Sequence, residues 1–507
     1  MKKTVLFASL ALAAMTANAQ TKEIATVSTP KSDYVMEPMF CVSANGNYAA
    51  GDQGAVTLLD LNTGEASVFY EEENDGSFAK AVTNDGTIIG QYGNGGMDSP
   101  AAILKKGAKQ WEYLPVPEGC NATGTAPQGA TADGKYLVGY AASDGTYPET
   151  YVPVIWTLQD DGKYTVEVMP RPEKDIWGSV PQFTMLFGIS NDGNTAYGRT
   201  MDWTGFSTLG IIYKKDAEGN WSFKTVGEDW LIIGDENPGP QPTFESIVTA
   251  EEGTEEYYEQ IAQLDQAIME WWPKAEAYAH LSSAPTNQIR VNANCISGNG
   301  KYVLFAIPGE GVRRYNTEDF TFDLVQGSGS YMGSSVTDNG DVLLASGFNG
   351  MYSAYICPAS ENMDGTTPLL DWVQANYDTT IETGEKFTGG TEGLGVTCCT
   401  PDGKTFVGFN NPRQEGMWSV STIVRIGKGP LVPTSIQDVM TMQQPEIENG
   451  TLNIPEGVGE VSIYGTDGTQ VASFTAEGSV DLSSYASGMS IVKVKVGKLT
   501  KTFKVNL

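Results

Sequence analysis

Gly188-Ile-Ser-Asn-Asp-Gly193 leads into the apolar run Thr195-Ala-Tyr-Gly198, and this short stretch recurs along the chain. Its pattern is small, apolar, Ser/Thr, any, Asp/Asn, Gly. Further copies end at Gly46, Gly86, Gly134, Gly300, Gly340 and Gly403, which makes seven with Gly193. The Ser/Thr and the Asp/Asn hold in all seven, and four copies add a second glycine five residues on, at Gly51, Gly139, Gly198 and Gly408. Asn-Gly and Asp-Gly suit the two positive-φ positions of a type I′ hairpin turn, and a Ser/Thr hydroxyl two residues earlier can tie down the turn backbone. Each copy therefore predicts a tight β-hairpin around a structural turn glycine. A second strand pair follows, such as Val154-Ile-Trp156 with Tyr164–Val168, or Gly210–Tyr213 with Trp221–Phe223. Two hairpins make a four-stranded sheet. Glycine-to-glycine spacings of 40, 48, 59, 107, 40 and 63 match four-stranded propeller blades. The expected fold is all-β: a seven-bladed β-propeller over residues 20–434.

The 107-residue gap holds one blade's strands and an insertion, about residues 235–290. Tyr257, Ile261, Leu264, Ile268 and Trp271 are spaced as one face of a helix. Pro273 is expected to break it, with His280 beyond. This helical insertion carries eleven acidic and two basic residues. A smaller helix is expected near Leu369–Ala375.

The ends differ from the body. Lys2 and Lys3, the apolar run Val5–Ala14 and the small-x-small site Ala17-Asn18-Ala19 read as a signal peptide over residues 1–19, cut between Ala19 and Gln20. Ten apolar residues are about half of the roughly 20 a membrane span needs, so no membrane insertion is expected. Residues 435–447, with Pro445, suit a linker. From 448 to 507, short alternating runs between turn signals predict a small C-terminal β-sandwich. The breaks fall at Pro455-Glu456-Gly457, Asp467-Gly468 and Gly497-Lys498.

The tail resembles the C-terminal sorting domain of proteins exported by the type IX (Por) secretion system. The resemblance rests on Val461–Val471, Val480–Gly488, Ile491–Val494 and the closing Lys501–Val505. The sequence departs from that family at Thr469, where arginine is usual, and at Ser490, where an aromatic is usual. The resemblance implies a domain recognised by outer-membrane secretion machinery and a protein that is secreted, either extracellular or attached to the outer-membrane surface. The body resembles the HAF-type extracellular repeat, which implies propeller-like architecture and no particular activity.

Composition narrows the chemistry. The 507 residues carry 31 basic and 62 acidic side chains, a formal net charge of −31. Nucleic acid is therefore not an expected partner. The single histidine, His280, rules out any site that needs two. It reads as a helix-end or packing residue. Cys41, Cys295 and Cys398 occupy the small-residue position of the motif, so free packed thiols are expected rather than disulfides. Each turn supplies one Asp or Asn, too few for a calcium loop, and the run Glu71–Asp75 reads as a solvated loop. No metal site and no cofactor is expected. Paired carboxylates could hydrolyse glycans, but no pair stands out among 62. Aromatic faces can stack on sugars. Trp177, Trp203 and Trp230, around the fourth copy, and Trp272, turned away from the apolar helix face, are the candidate contacts. The expectation is a non-catalytic binding protein with a glycan or protein ligand. The alternatives are a carboxylate-dependent glycan-degrading enzyme and a structural component of a surface assembly.

Overall fold

The computed structural model describes residues 24–28, 39–51, 56–69, 77–93, 99–143, 150–201, 208–281, 295–307, 310–328, 332–348, 351–359, 362–377, 394–410, 420–426, 445–448, 450–466, 468–496 and 499–506. The chain divides into two compact units, 1–432 and 433–507.

The first unit is mostly β and propeller-like: small antiparallel meanders follow one another along the chain. The first meander runs Met39–Val42, Tyr48–Gly51, Val56–Asp60 and Ala66–Phe69, and the second starts at Phe78–Val82 and Ile88–Gln91. The next two start at Cys120–Ala130 and Phe183–Ile189, and one parallel bridge, Tyr151 to Phe183, joins them. Three more begin near Ile296, Met332 and Leu394. The outermost strand of the last is Ile24–Ser28, from the start of the chain, paired with Val420–Ile426.

The turns form where the motif places them, but not as type I′. Gly193 has φ 70°, while Asp192 before it does not take a positive φ. Ser190 N–H donates to Thr195 O at 2.8 Å, and Gly193 N–H to Ser190 O at 2.9 Å. This is a four-residue loop around an i to i+3 bond, in which only the glycine is left-handed. The side chains remove the need for a second positive φ. The Ser190 hydroxyl donates to Asp192 Oδ1 at 2.5 Å and accepts Thr195 N–H at 3.0 Å. Asp192 Oδ1 also accepts Asn194 N–H at 3.0 Å. Ser43, Thr83, Thr131, Ser297 and Thr400 repeat the hydroxyl-to-Asx bond. In the sixth copy Thr337 donates to Asp341 instead, at 3.1 Å.

In five copies a glycine on the second strand stands opposite a β-bulge; in a sixth bulged copy that place is taken by Leu344, opposite Gly333. Each first strand of six copies slips register one residue before the motif, as between Leu186 and Gly188. The extra residues include Lys80, Gln128 and Phe187. A Cβ on Gly198 would lie 1.9 Å from Met185 O, so the bulged strand's backbone fills that space.

The long insertion helix spans Glu255–Tyr278. It runs through Pro273, contrary to the expected break. Thr254 caps it by accepting Tyr257 N–H at 3.1 Å. Leu264, Ile268, Trp271 and Ala275 are its buried face. The smaller helix spans Leu369–Tyr377. Five of the six cysteines are buried, and Cys120 is half-buried. Burial pushes the Cys399 thiol up to about 12, so it is inert.

The second unit is one five-stranded antiparallel sheet. Strand Thr451–Gly465 pairs on both sides, with Gln470–Asp481 and Met489–Val496. It continues through 455–457, where a turn was expected, and absorbs that segment as a register shift between Ile454 and Val458. Leu452, Ile454, Val461, Ile463, Val492 and Val494 form its core.

Candidate functional site

The motif ends of the first strands surround a cavity of about 90 Å³, to which all seven copies contribute residues, among them Cys41, Ala81, Gly129, Ile189, Ile296, Ser335 and Cys399. No carboxylate lines it among the described residues. It is small and offers little chemistry.

The opposite ends of the strands are different. There a cavity of about 250 Å³ lies between the second and third meanders, lined by Phe78, Lys80, Gln91, Thr123, Gly124, Ala126, Tyr140 and Tyr151. Its aromatic side is ordered: the Tyr140 and Tyr151 rings meet edge to face at 5.3 Å, and Tyr151 meets Phe183 at 5.2 Å. Its polar side is fixed by Asn121, whose Oδ1 accepts Gly124 N–H at 2.6 Å and the Thr123 hydroxyl at 3.3 Å. Gln91 Nε2 donates to Ser99 O at 2.8 Å. Lys80 is the bulge residue of its strand, with Nζ 4.9 Å from the Phe78 ring centroid. Bulges re-aim side chains, and this one brings Lys80 to the cavity wall.

Arg199 is not among the residues that line this cavity, but its charge acts on Tyr140. Its guanidinium lies 5.5 Å from the ring centroid of Phe187, another bulge residue. Burial pushes the Tyr140 phenol above its ordinary value, and the Arg199 charge only partly opposes this. Tyr140 is therefore protonated at neutral pH. Burial lowers the Arg199 value, with Tyr140 opposing.

These residues share a register. Tyr140 and Arg199 each lie six residues after a turn glycine; Gln91 lies five after Gly86, whose loop is one residue shorter. The same position holds Ala306, Ala345 and Phe409 in three other copies. Reading the repeats past the turn and the second glycine would have exposed this variation.

The candidate tryptophans do not converge there. Trp177 and Trp230 are 2% and 1% exposed, so neither offers a face to a ligand. Trp177 packs edge to face on Trp271 at 5.5 Å, and Trp230 Nε1 donates to Thr208 O at 3.0 Å. Trp272 is half-buried against the Trp177 and Trp271 cluster. Trp203, the Ala19–Gln20 junction and the run Glu71–Asp75 lie outside the described residues. His280 pairs through its backbone with Ile232.

Two carboxylates, Asp175 and Glu228, do share a second cavity of about 210 Å³. Asp175 Oδ1 already accepts N–H from Trp177 and Ser179, each at 2.9 Å, so it serves as a turn clasp. Among the described residues, no group of three or more metal-ligating side chains comes together, and no helix is long and apolar enough to cross a membrane.

No family model and no curated protein matches this chain. Among solved structures it is similar to one from a study of two prolyl endopeptidases. That match has 10% identity and a TM-score of 0.41, and covers 95% of this chain and 55% of that one, so this chain spans about half its length. It is also similar to an oligogalacturonate lyase in complex with manganese, at 10% identity and a TM-score of 0.42, over 80% of this chain and 97% of that one. Of the tryptophans offered for stacking, Trp177 and Trp230 are buried and Trp272 is half-buried against Trp177 and Trp271. The expectation of a non-catalytic binding protein is therefore corrected. At these scores the likeness itself assigns no activity or substrate to this chain.

Proposed function

We propose that this protein is a glycan-degrading enzyme that takes its substrate in the cavity between Lys80, Tyr140 and Tyr151. One observation carries the reading: an aromatic-walled cavity has Lys80 and a protonated tyrosine on its wall, at the strand ends where the repeats stop agreeing. A cavity of about 250 Å³ accommodates a sugar ring. Aromatic side chains such as Tyr151 pack on the apolar face of such a ring. Hydrolysis adds water across the glycosidic bond: Tyr140 gives its proton to the leaving oxygen as the bond to the anomeric carbon breaks, and a water adds hydroxide to that carbon and returns its proton to the Tyr140 oxygen. The expected carboxylate pair has no support at this cavity among the described residues.

The test is incubation of the full chain with a panel of neutral, carboxylated and sulfated polysaccharides, with new reducing ends as the readout. At least one should be cleaved. Tyr140→Phe should lower that rate by about 100-fold. No cleavage of any polysaccharide, or an unchanged rate in the variant, overturns the reading.

The architecture around this site reads as a closed seven-bladed ring. What supports the count is a cycle of contacts. A Cβ on Gly86 would meet Tyr48 of the first copy, one on Gly134 would meet Thr83 of the second, and one on Gly193 would meet Tyr136 of the third. Gly300 faces Ser190, Gly340 faces Tyr302 and Gly403 faces Thr337. Gly46, in the first copy, faces Thr400 and Thr405 of the seventh. The bend at 454–458 suits a sandwich built from the second unit's single sheet. Export rests on the leader pattern of residues 1–19, and delivery by outer-membrane secretion machinery rests on the resemblance of 448–507. Both are tested by the N-terminus of the mature protein and by its location after deletion of 448–507. A retained Met1, or unchanged export of the deletion, sinks them.

A further inference from the structure

We propose that the substrate is a chain of several sugars that spans two cavities, with the one lined by Lys174, Phe223 and Glu228 as a further sugar subsite; this rests on the proposed site but not on turnover there. The first argument is place. The second cavity, of about 210 Å³, is lined by Met201, which ends strand Thr195–Met201, and by Leu209, which starts the next strand. Thr195 follows the turn at Gly193, so Met201 is at the strand end furthest from it. The cavity of Tyr140 and Tyr151 lies at the same end of its own meander.

One backbone segment, Pro181–Phe183, lies between the two cavities. Pro181 lines the second. Tyr151, which lines the first, donates its N–H to Gln182 O at 2.7 Å and pairs with Phe183. Pro181 and Phe183 are two residues apart, ~7 Å of extended chain, so the partition is thin. Val180, just before it, is 58% exposed, so the edge of the partition faces solvent and a sugar chain can cross there.

The second argument is chemistry. The first cavity has no carboxylate on its wall among the described residues, whereas the second has Asp175 and Glu228, with Lys174 and Thr225. Asp175 is engaged by its turn, but Glu228 and Lys174 are exposed. A sugar hydroxyl both donates and accepts, so a ring needs acceptors and donors together, and charged partners make the stronger bonds. Phe223 and Pro181 supply an apolar wall for the face of a ring. An apolar wall with a few convergent polar groups is the usual form of a ligand site.

The fold also fixes these groups in advance. The Asp175 clasp orders the loop that carries Lys174. The Phe223 ring packs on Tyr213 at 5.7 Å. Glu228 follows Gly227, whose φ is 96°, and a Cβ there would lie 1.9 Å from the Trp230 ring. The buried Trp230 thus sets where the turn bearing Glu228 begins.

Calorimetric titration against chain length decides it. The full-length protein is titrated with a disaccharide, a tetrasaccharide and a hexasaccharide prepared from xylan, from polygalacturonate and from carrageenan. In at least one series the longer sugars should bind about tenfold tighter than the disaccharide. Glu228→Gln and Phe223→Ala should each remove most of that gain and leave disaccharide binding unchanged. Glu228 is exposed, so its variant keeps the test open if Phe223→Ala does not fold. Equal affinity at every length, a gain that survives both variants, or no binding in any series overturns the inference. Variants that weaken all lengths alike overturn it too, because the second cavity would then be the only one filled. A gain with length but no cleavage overturns the enzyme reading and leaves the two-cavity reading standing. Cleavage without any gain in affinity with length does the reverse.

Discussion

The two ends of the repeated strands obey different rules. At the turn end every copy has a Ser/Thr and a positive-φ glycine, and the hydroxyl-to-Asx bond recurs in six of seven. At the other end the residues differ from copy to copy: Gln91, Tyr140 and Arg199 stand in the register of Ala306 and Ala345. Identical residues solve a problem that every copy shares, which is closing a hairpin against its neighbour. Residues that differ are free of that problem and can serve one place on the molecule. Here repetition marks the scaffold, and departure from repetition marks the candidate chemistry.

The bulge links the two ends and should show the largest effect. Valine at Gly198 puts a Cβ 1.9 Å from Met185 O, a backbone atom that cannot step aside. Gly198→Val should lower stability by about 4 kcal/mol or prevent folding, read by denaturant unfolding. A variant within about 1 kcal/mol of wild type would show that the bulge is not needed.

Tyr140→Phe should separate the ends cleanly. It removes a hydroxyl from the cavity and nothing from the turns. Thermal unfolding should stay close to wild type while cleavage falls. A large loss of stability would make Tyr140 part of the scaffold and break the comparison.

The reverse experiment belongs to the turn end. Ser190→Ala removes a donor to Asp192 and an acceptor for Thr195 N–H, and should cost about 1–2 kcal/mol with little change in glycan binding. Its neighbour gives a pH signature. Burial pushes the Asp192 carboxyl up, but the Ser190 hydroxyl and the Asn194 N–H outweigh it, so the folded value falls below the ordinary 3.8. A depressed acid stabilises the fold above its unfolded value, and that contribution is lost as pH falls through the folded one. Asp85 and Asp133 behave alike, with Thr83 and Thr131 as donors. Stability should fall below about pH 4, and less steeply in Asp192→Asn. Asp338 has the opposite sign. Burial, with the Asp402 charge adding to it, raises its value. Asp338→Asn should therefore steepen the acid loss, because protonating Asp338 relieves the fold as pH drops. Equal slopes in all three proteins would remove the turn carboxylates as the cause.

The smallest effect belongs to an exposed contact between copies. Lys106 Nζ reaches the Tyr48 hydroxyl at 2.7 Å and Asp60 at 3.1 Å. Lys106→Met should cost less than about 1 kcal/mol, and less still in high salt, because solvent screens the pair. A larger loss would mean that side chains between copies, and not the turn backbones, carry the contact.

Much of this was legible in the residues, and the failures are instructive. The pattern around Gly193 located every turn because a left-handed residue and its side-chain clasp are local demands. It misjudged the turn type because Ser190 and Asp192 together satisfy the loop backbone that a second positive φ would otherwise have to accommodate. The face Leu264, Ile268 and Trp271 was legible, but Pro273 did not end the helix, which continues to Tyr278. Trp177 and Trp230 looked like platforms because sequence shows an aromatic and not what covers it.

The sequence by itself determined the repeat, the turn positions, the small-residue sites of Cys41 and Cys398, the insertion helix and the acidic balance. Each follows from a neighbour within a few residues or from composition. Only the tertiary structure decided that Ile24–Ser28 completes the last meander, some 400 residues away. It alone decided that backbone fills the space beside Gly198, and that Lys80, Tyr140 and Tyr151 share one cavity. Such pairings are set by burial and by satisfying backbone hydrogen bonds across the whole unit, and no local pattern encodes which distant partner meets that need.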